Sequence, residues 1–148
     1  MNSRSIKLGA LGGLLGGVVF GMMMGMMGML PMIGQMVGQP NAVAGFGVHL
    51  INSVIIGAGF ALVFGRFVSS IGSGLSTGLF YGGVWWLLGP LTLMPLFLGM
   101  GFGVNWNIGA AQAMAPSLVG HFIYGAILGV SYHLLGQRSA CYAVATAS

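Results

Sequence analysis

Apolar residues fill four long stretches of this chain, near residues 8–29, 47–65, 75–93 and 117–135, and shorter runs richer in proline and polar side chains separate them. A helix needs about 20 apolar residues to cross roughly 30 Å of hydrocarbon. Each stretch is long enough, so the pattern predicts four transmembrane helices. The connection after the first helix covers about residues 31–46. The one after the third covers about 94–116 and carries Asn105-Trp106-Asn107, where Trp106 suits a membrane–water interface. Pro90 and Pro95 interrupt the outer part of the third stretch. Two outcomes stand for that end: a helix that runs on to about residue 93, or a break at Pro90 or Pro95 that leaves residues 91–100 in the interface or re-entrant.

The second and fourth stretches align without a gap at an offset of 72 residues. His49-Leu50-Ile51-Asn52-Ser53-Val54-Ile55-Ile56-Gly57 pairs with His121-Phe122-Ile123-Tyr124-Gly125-Ala126-Ile127-Leu128-Gly129, and Arg66 pairs with Arg138. The first and third stretches pair through Gly16-Gly17-Val18 with Gly82-Gly83-Val84 and Leu30-Pro31-Met32 with Met94-Pro95-Leu96, with a slip of register between. The expected fold is therefore all-α: a polytopic membrane protein of four transmembrane helices, arranged as two tandem parallel-repeat helical hairpins. Residues 1–148 form a single transmembrane domain, with repeat 1 over about 5–66, repeat 2 over about 71–138 and a short tail at 139–148. Parallel repeats place any pseudo-twofold axis along the membrane normal.

Composition excludes the soluble alternative. Charged residues make up 3% of the chain and mean hydropathy is +0.99, whereas soluble domains carry about 25% charged residues. There is no Asp or Glu, and the cations are Arg4, Lys7, Arg66 and Arg138. Scattered singly, they make no nucleic-acid footprint. An even number of crossings returns all of them to one face, which the positive-inside rule assigns to the cytoplasm, with both termini there, in the cell inner (plasma) membrane. The N-terminal apolar run exceeds a signal-peptide core of about 7–15 residues, so it is expected to stay as the first helix. Cys141 is the sole cysteine, and no intrachain disulfide can form.

Gly13, Gly17, Gly21 and Gly25 recur every four residues on the first helix, and Gly74, Gly78 and Gly82 on the third. Such stripes let helix backbones approach closely within lipid. Met22, Met23, Met24, Met26, Met27, Met29, Met32 and Met36 cluster beside them. Thioethers suit Cu(I), but consecutive methionines point all round a helix, so they are read as apolar fillers or lipid-facing groups rather than as a copper relay.

His49 and His121 are the candidate site residues. Each shares a helix face with small residues, His49 with Ser53 and Gly57 and His121 with Gly125 and Gly129, so both imidazoles face the bundle interior. Ionisable groups so placed are functional candidates. Two readings stand. Each imidazole donates a structural hydrogen bond to an outer-loop carbonyl or a neighbouring helix, or the pair binds a cofactor: haem iron, the magnesium of a chlorophyll, or a shared Zn or Cu. Phe80, Tyr81, Trp85 and Trp86 would then wall an aromatic pocket. His133 matches Ala61 in the other repeat and is expected to pack or donate a hydrogen bond.

Without a carboxylate there is no Ser-His-Asp triad, no carboxylate pair and no acidic proton relay. Gly99-Met100-Gly101-Phe102-Gly103 lies in no βαβ unit and is not a dinucleotide site. An enzyme is not expected. The run Tyr81-Gly82-Gly83-Val84-Trp85-Trp86-Leu87-Leu88-Gly89-Pro90-Leu91-Thr92-Leu93-Met94-Pro95, with Gly120-His121-Phe122-Ile123-Tyr124-Gly125, resembles a widespread group of small prokaryotic four-helix integral membrane proteins. That resemblance covers about residues 8–135 and implies topology only, with no activity and no site residues. The expected role is that of a structural or accessory subunit of a larger membrane complex. Alternatives are a homo-oligomeric channel or transporter, with Gln35, Gln39, Asn41, Asn105, Asn107 and Gln112 at its mouth, and a cofactor-binding membrane protein. Its partners would be the lipid bilayer and other membrane subunits or further copies of the chain.

Overall fold

The computed structural model describes residues 3–145, and side chains for residues 3–137. Arg138 and Cys141 have side chains outside the described residues. The elements are α1 (Ser3–Met26), α2 (Leu30–Gln35), α3 (Ala42–Val63), a 3-10 turn (Gly65–Phe67), α4 (Ile71–Leu88), a π turn (Gly89–Leu93), α5 (Met94–Phe97), α6 (Ile108–Ala113) and α7 (Ala115–Ala145). Among the described residues there is no strand. Four helical segments are long and apolar enough to cross a membrane: Ser3–Met26, Ala42–Val63, Ile71–Phe97 and Ala115–Gln137. The protein is all-α, and its composition is that of a multi-pass membrane protein.

Local chemistry sets the helix ends. α3 begins at Ala42 rather than Gly47, because Asn41 is extended and its side chain accepts a hydrogen bond from the Ala44 amide at 2.9 Å. Ser70 and Ser73 form a reciprocal capping box at the start of α4.

At Pro90 and Pro95, where the sequence leaves a break open, the helix does not break. The chain stays helical through Pro90 by widening into the π turn, and a single span runs from Ile71 to Phe97. Proline has no N–H, and its ring excludes the carbonyl four residues back. Thr92 Oγ1 donates to Leu87 O at 2.7 Å, and Asn105 Nδ2 donates to Pro90 O at 3.4 Å. Backbone freed by a proline within a membrane must be satisfied by such side chains. Trp106 Nε1 in turn donates to Thr92 Oγ1 at 3.1 Å, which ties the long connection after α5 to the turn.

α1 packs against α3 and α7, and α7 packs against α4. Glycines carry these contacts. A methyl group at Gly9 would strike the Gly57 carbonyl, and one at Gly13 would strike the Ser53 carbonyl. In the other hairpin, Gly74 abuts the Gly129 carbonyl and Gly78 the Gly125 carbonyl. The meeting residues correspond pair by pair: Gly9 stands to Gly57 as Gly74 stands to Gly129. Further along, Gly17 meets the Ser53 side chain and Gly82 meets the His121 carbonyl. Gly12 and Gly16 form a second face of α1, turned to Leu128 and Tyr124 of α7.

No glycine seam joins α3 to α4. Toward the end where α3 turns into α4, aromatic rings fill the space between them. Phe60 and Phe64 lie 5.3 and 5.4 Å from Tyr81, and Phe60 lies 5.9 Å from Tyr132. Tyr81 donates its hydroxyl to Ile56 O at 2.9 Å. Arg4, Ser69, His133 and Gln137 line a crevice at this end of the bundle, and Arg66 lies nearby with its guanidinium 4.6 Å from the Phe67 ring centre. Toward the opposite end the space between α3 and α4 is not filled.

Candidate functional site: a cavity between two spans

That unfilled space is a cavity of about 300 Å³. Its walls come from α3 (His49, Asn52, Ser53, Ile55, Ile56) and from α4 through α5 (Trp85, Gly89, Pro90, Leu93, Met94, Phe97). Phe20, Met24, His121 and Tyr124 reach it from α1 and α7. Asn52, Ile55 and Phe97 are exposed, so they mark a mouth on the outer side of the bundle, within the length of the spans.

Both sequence-derived site residues reach this cavity. Their rings meet the same side chain, Phe20, edge-on: the His49 ring centre is 5.4 Å from it and that of His121 is 4.8 Å away. Phe20 is held close to α7 because Gly120 has no side chain; a methyl group there would overlap the ring.

The two imidazoles are wired differently. His49 is buried, and its Nε2–H donates to Gly17 O on α1 at 2.9 Å. A carbonyl can only accept, so this bond fixes the tautomer and uses the Nε2 position. His121 instead donates from Nδ1 to Ser117 O at 2.7 Å, within its own helix. Its Nε2 therefore keeps a lone pair. That atom lies 3.7 Å from the position a side-chain carbon would take at Gly89, on the cavity wall.

Most remaining polar groups of the lining are satisfied within the protein. Ser53 Oγ donates to His49 O at 2.8 Å, Ser117 Oγ donates to Met114 O at 3.0 Å, and Tyr124 donates to Ser53 O at 2.7 Å. Trp85 Nε1 is a buried donor with no partner among the described residues, a rare condition in a folded protein. No family model, no curated protein and no solved structure matches this chain. The site must therefore be read from its own chemistry.

Of the four aromatic residues expected to wall a pocket, Trp85 alone lines the cavity. Tyr81 belongs to the ring cluster at the other end of the bundle, Phe80 is exposed, and Trp86 Nε1 donates to Met114 O at 3.1 Å. Met24, Met29, Met36 and Met94 contribute to the wall, whereas Met22 and Met26 point outward. Among the described residues, no group of three or more His, Cys, Asp or Glu gathers around a point suited to a metal ion. Asn41 and Asn107 cap α3 and α6. Sequence reasoning missed Phe20 and Asn52. Asn52 carried a signal, since it is a carboxamide in the middle of an apolar span. Phe20 carried none.

Proposed function

We propose that this protein is a non-catalytic integral membrane protein that holds a lipid-soluble molecule in the cavity between α3 and α4. One observation carries the reading: a largely apolar cavity opens sideways, between exposed Asn52, Ile55 and Phe97, at the depth of the spans. Binding sites are concave and mostly apolar, with a few polar groups that fix orientation. A mouth within the spans admits what is dissolved in the bilayer. The lack of Asp and Glu argues against chemistry that needs a carboxylate pair or a carboxylate-supported triad. Arg4, Lys7, Arg66 and Arg138 favour a plasma-membrane protein with both termini in the cytoplasm.

Native mass spectrometry of protein released from its own membranes tests this reading. The expected result is a stoichiometric apolar adduct that disappears when Leu93→Trp fills the cavity. Identical adduct-free spectra for both proteins would overturn it.

A second reading, a small subunit docked onto other membrane proteins, draws on the outer connection. Met100, Phe102 and Trp106 there are 58%, 67% and 62% exposed, beyond the end of the span. Large apolar side chains exposed together mark interaction surfaces. Recovery of co-purifying subunits that are lost on Phe102→Ser would favour this role.

A further inference from the structure

Resting on the cavity-binding reading, we infer that the ligand carries a neutral hydroxyl group, as an apolar alcohol or phenol, and that this hydroxyl donates to Nε2 of His121. The Nδ1–H bond to Ser117 O makes Nε2 an acceptor and leaves it without a proton to give. An acceptor beside Phe20 and Gly89, in a cavity also lined by Pro90 and Leu93, gains nothing from a ketone, an ester or an ether, none of which has a proton to offer. Such a ligand would displace whatever water reached Nε2 and leave the nitrogen unpaired, which costs free energy in an apolar site. A cationic donor such as an ammonium would also match the lone pair. It would need a counter-charge, however, and the chain contains no carboxylate to supply one. A neutral hydroxyl meets both conditions.

His49 does not duplicate this role. Its Nε2 is already spent on Gly17 O, and that bond joins α3 to α1. Of two imidazoles at equivalent places in the sequence, one closes the hairpin and the other addresses the ligand. The cavity wall suits a flat or chain-like apolar body, with Trp85 and Phe20 as ring surfaces and Met24, Met29 and Met94 as adaptable ones.

The test compares two probes of nearly the same shape, 4-nonylphenol and its methyl ether 4-nonylanisole. Saturable binding to the full-length protein in nanodiscs is measured by equilibrium dialysis against empty nanodiscs. The phenol is expected to bind about tenfold more tightly than the ether, since a hydrogen bond left unmade at a buried acceptor costs on the order of one factor of ten. In His121→Phe that preference should vanish. Should that variant fail to fold, the comparison of the two probes on the unaltered protein still decides. Equal saturable binding of phenol and ether by the unaltered protein would overturn the hydroxyl assignment while leaving the cavity as a binding site. Failure of both probes to bind above empty nanodiscs would overturn the binding reading as well.

Discussion

Tyr124 donates its hydroxyl to the backbone carbonyl of Ser53 at 2.7 Å, and so ties the last span to the second across the middle of the bundle. The bond connects the two hairpins directly at the cavity floor. Hydrogen bonds between membrane helices average about 0.6 kcal/mol, because the separated helices find other partners. Tyr124→Phe should therefore lower stability by about 0.5–1 kcal/mol in an SDS-unfolding titration and preserve the helical circular dichroism. A loss above about 3 kcal/mol, with the ring unchanged, would mean that this hydroxyl is worth several times an average interhelical bond.

Glycine positions divide sharply by what lies opposite them. Gly78 faces the Gly125 carbonyl, while nothing lies within 4 Å of the place a side chain would occupy at Gly47. Gly78→Val should cost roughly 1–3 kcal/mol or more by overpacking, read as a lower unfolding midpoint. Gly47→Val should leave that midpoint within about 0.5 kcal/mol of its original value, as open surface substitutions do. Equal effects at both positions would refute the packing described for α4 against α7.

Losing one imidazole should not equal losing the other. His49→Leu removes a bond from α3 to α1 and leaves Gly17 O without that donor, so a stability loss of about 1 kcal/mol is expected. His121→Leu removes a bond within α7 and the ring contact with Phe20 but strips no donor from another helix, so it should lower the midpoint less than His49→Leu does. The reverse order would show that the two rings have exchanged roles.

Thr92 serves the π turn twice, as donor to Leu87 O and as acceptor from Trp106 Nε1. Thr92→Val keeps the shape and removes both partners. Leu87 O, left without that donor, costs about 1–3 kcal/mol, whereas the exposed Trp106 can turn its N–H to another acceptor. Hydrogen exchange should accelerate across residues 98–107 as the outer connection loosens, while residues 71–85 keep their protection. Unchanged exchange in the connection would exclude Thr92 as its anchor.

Orientation has its own test. In a Cys141→Ser background, Ser69→Cys and Asn105→Cys place single thiols beyond opposite ends of α4 through α5. A membrane-impermeant maleimide added to intact cells should label the second and spare the first. The opposite pattern would invert the topology argued from the four cations.

The four spans were legible because apolar length is a property of composition, and nothing else about a bilayer crossing needs a partner. Their ends were less so: the sequence places the second span's start at Gly47, but Asn41 begins α3 earlier by capping it. Pro90 was legible as a disturbance and not as a π turn, because the outcome depends on Thr92 and Asn105 reaching freed carbonyls from elsewhere. At the site, the shared position of His49 and His121 pointed to both residues. Their opposite tautomers could not be read, since Gly17 O and Ser117 O decide them through tertiary placement. Phe20 was invisible for the same reason: the slot at Gly120 that admits it lies on another helix.

The backbone contacts at Gly9 and Gly57, and at Gly74 and Gly129, also bear on how such a chain can change over time. Where two glycines meet, neither position can gain a side chain unless the helices part, so mutation is closed at both together. Leu11, Leu15 and Ile51, which face outward, can trade for any apolar neighbour at little cost. Descendants of this chain should then drift fast over most of their surface and slowly along a few narrow lines. Kinship would be written in the interval between glycines rather than in overall identity.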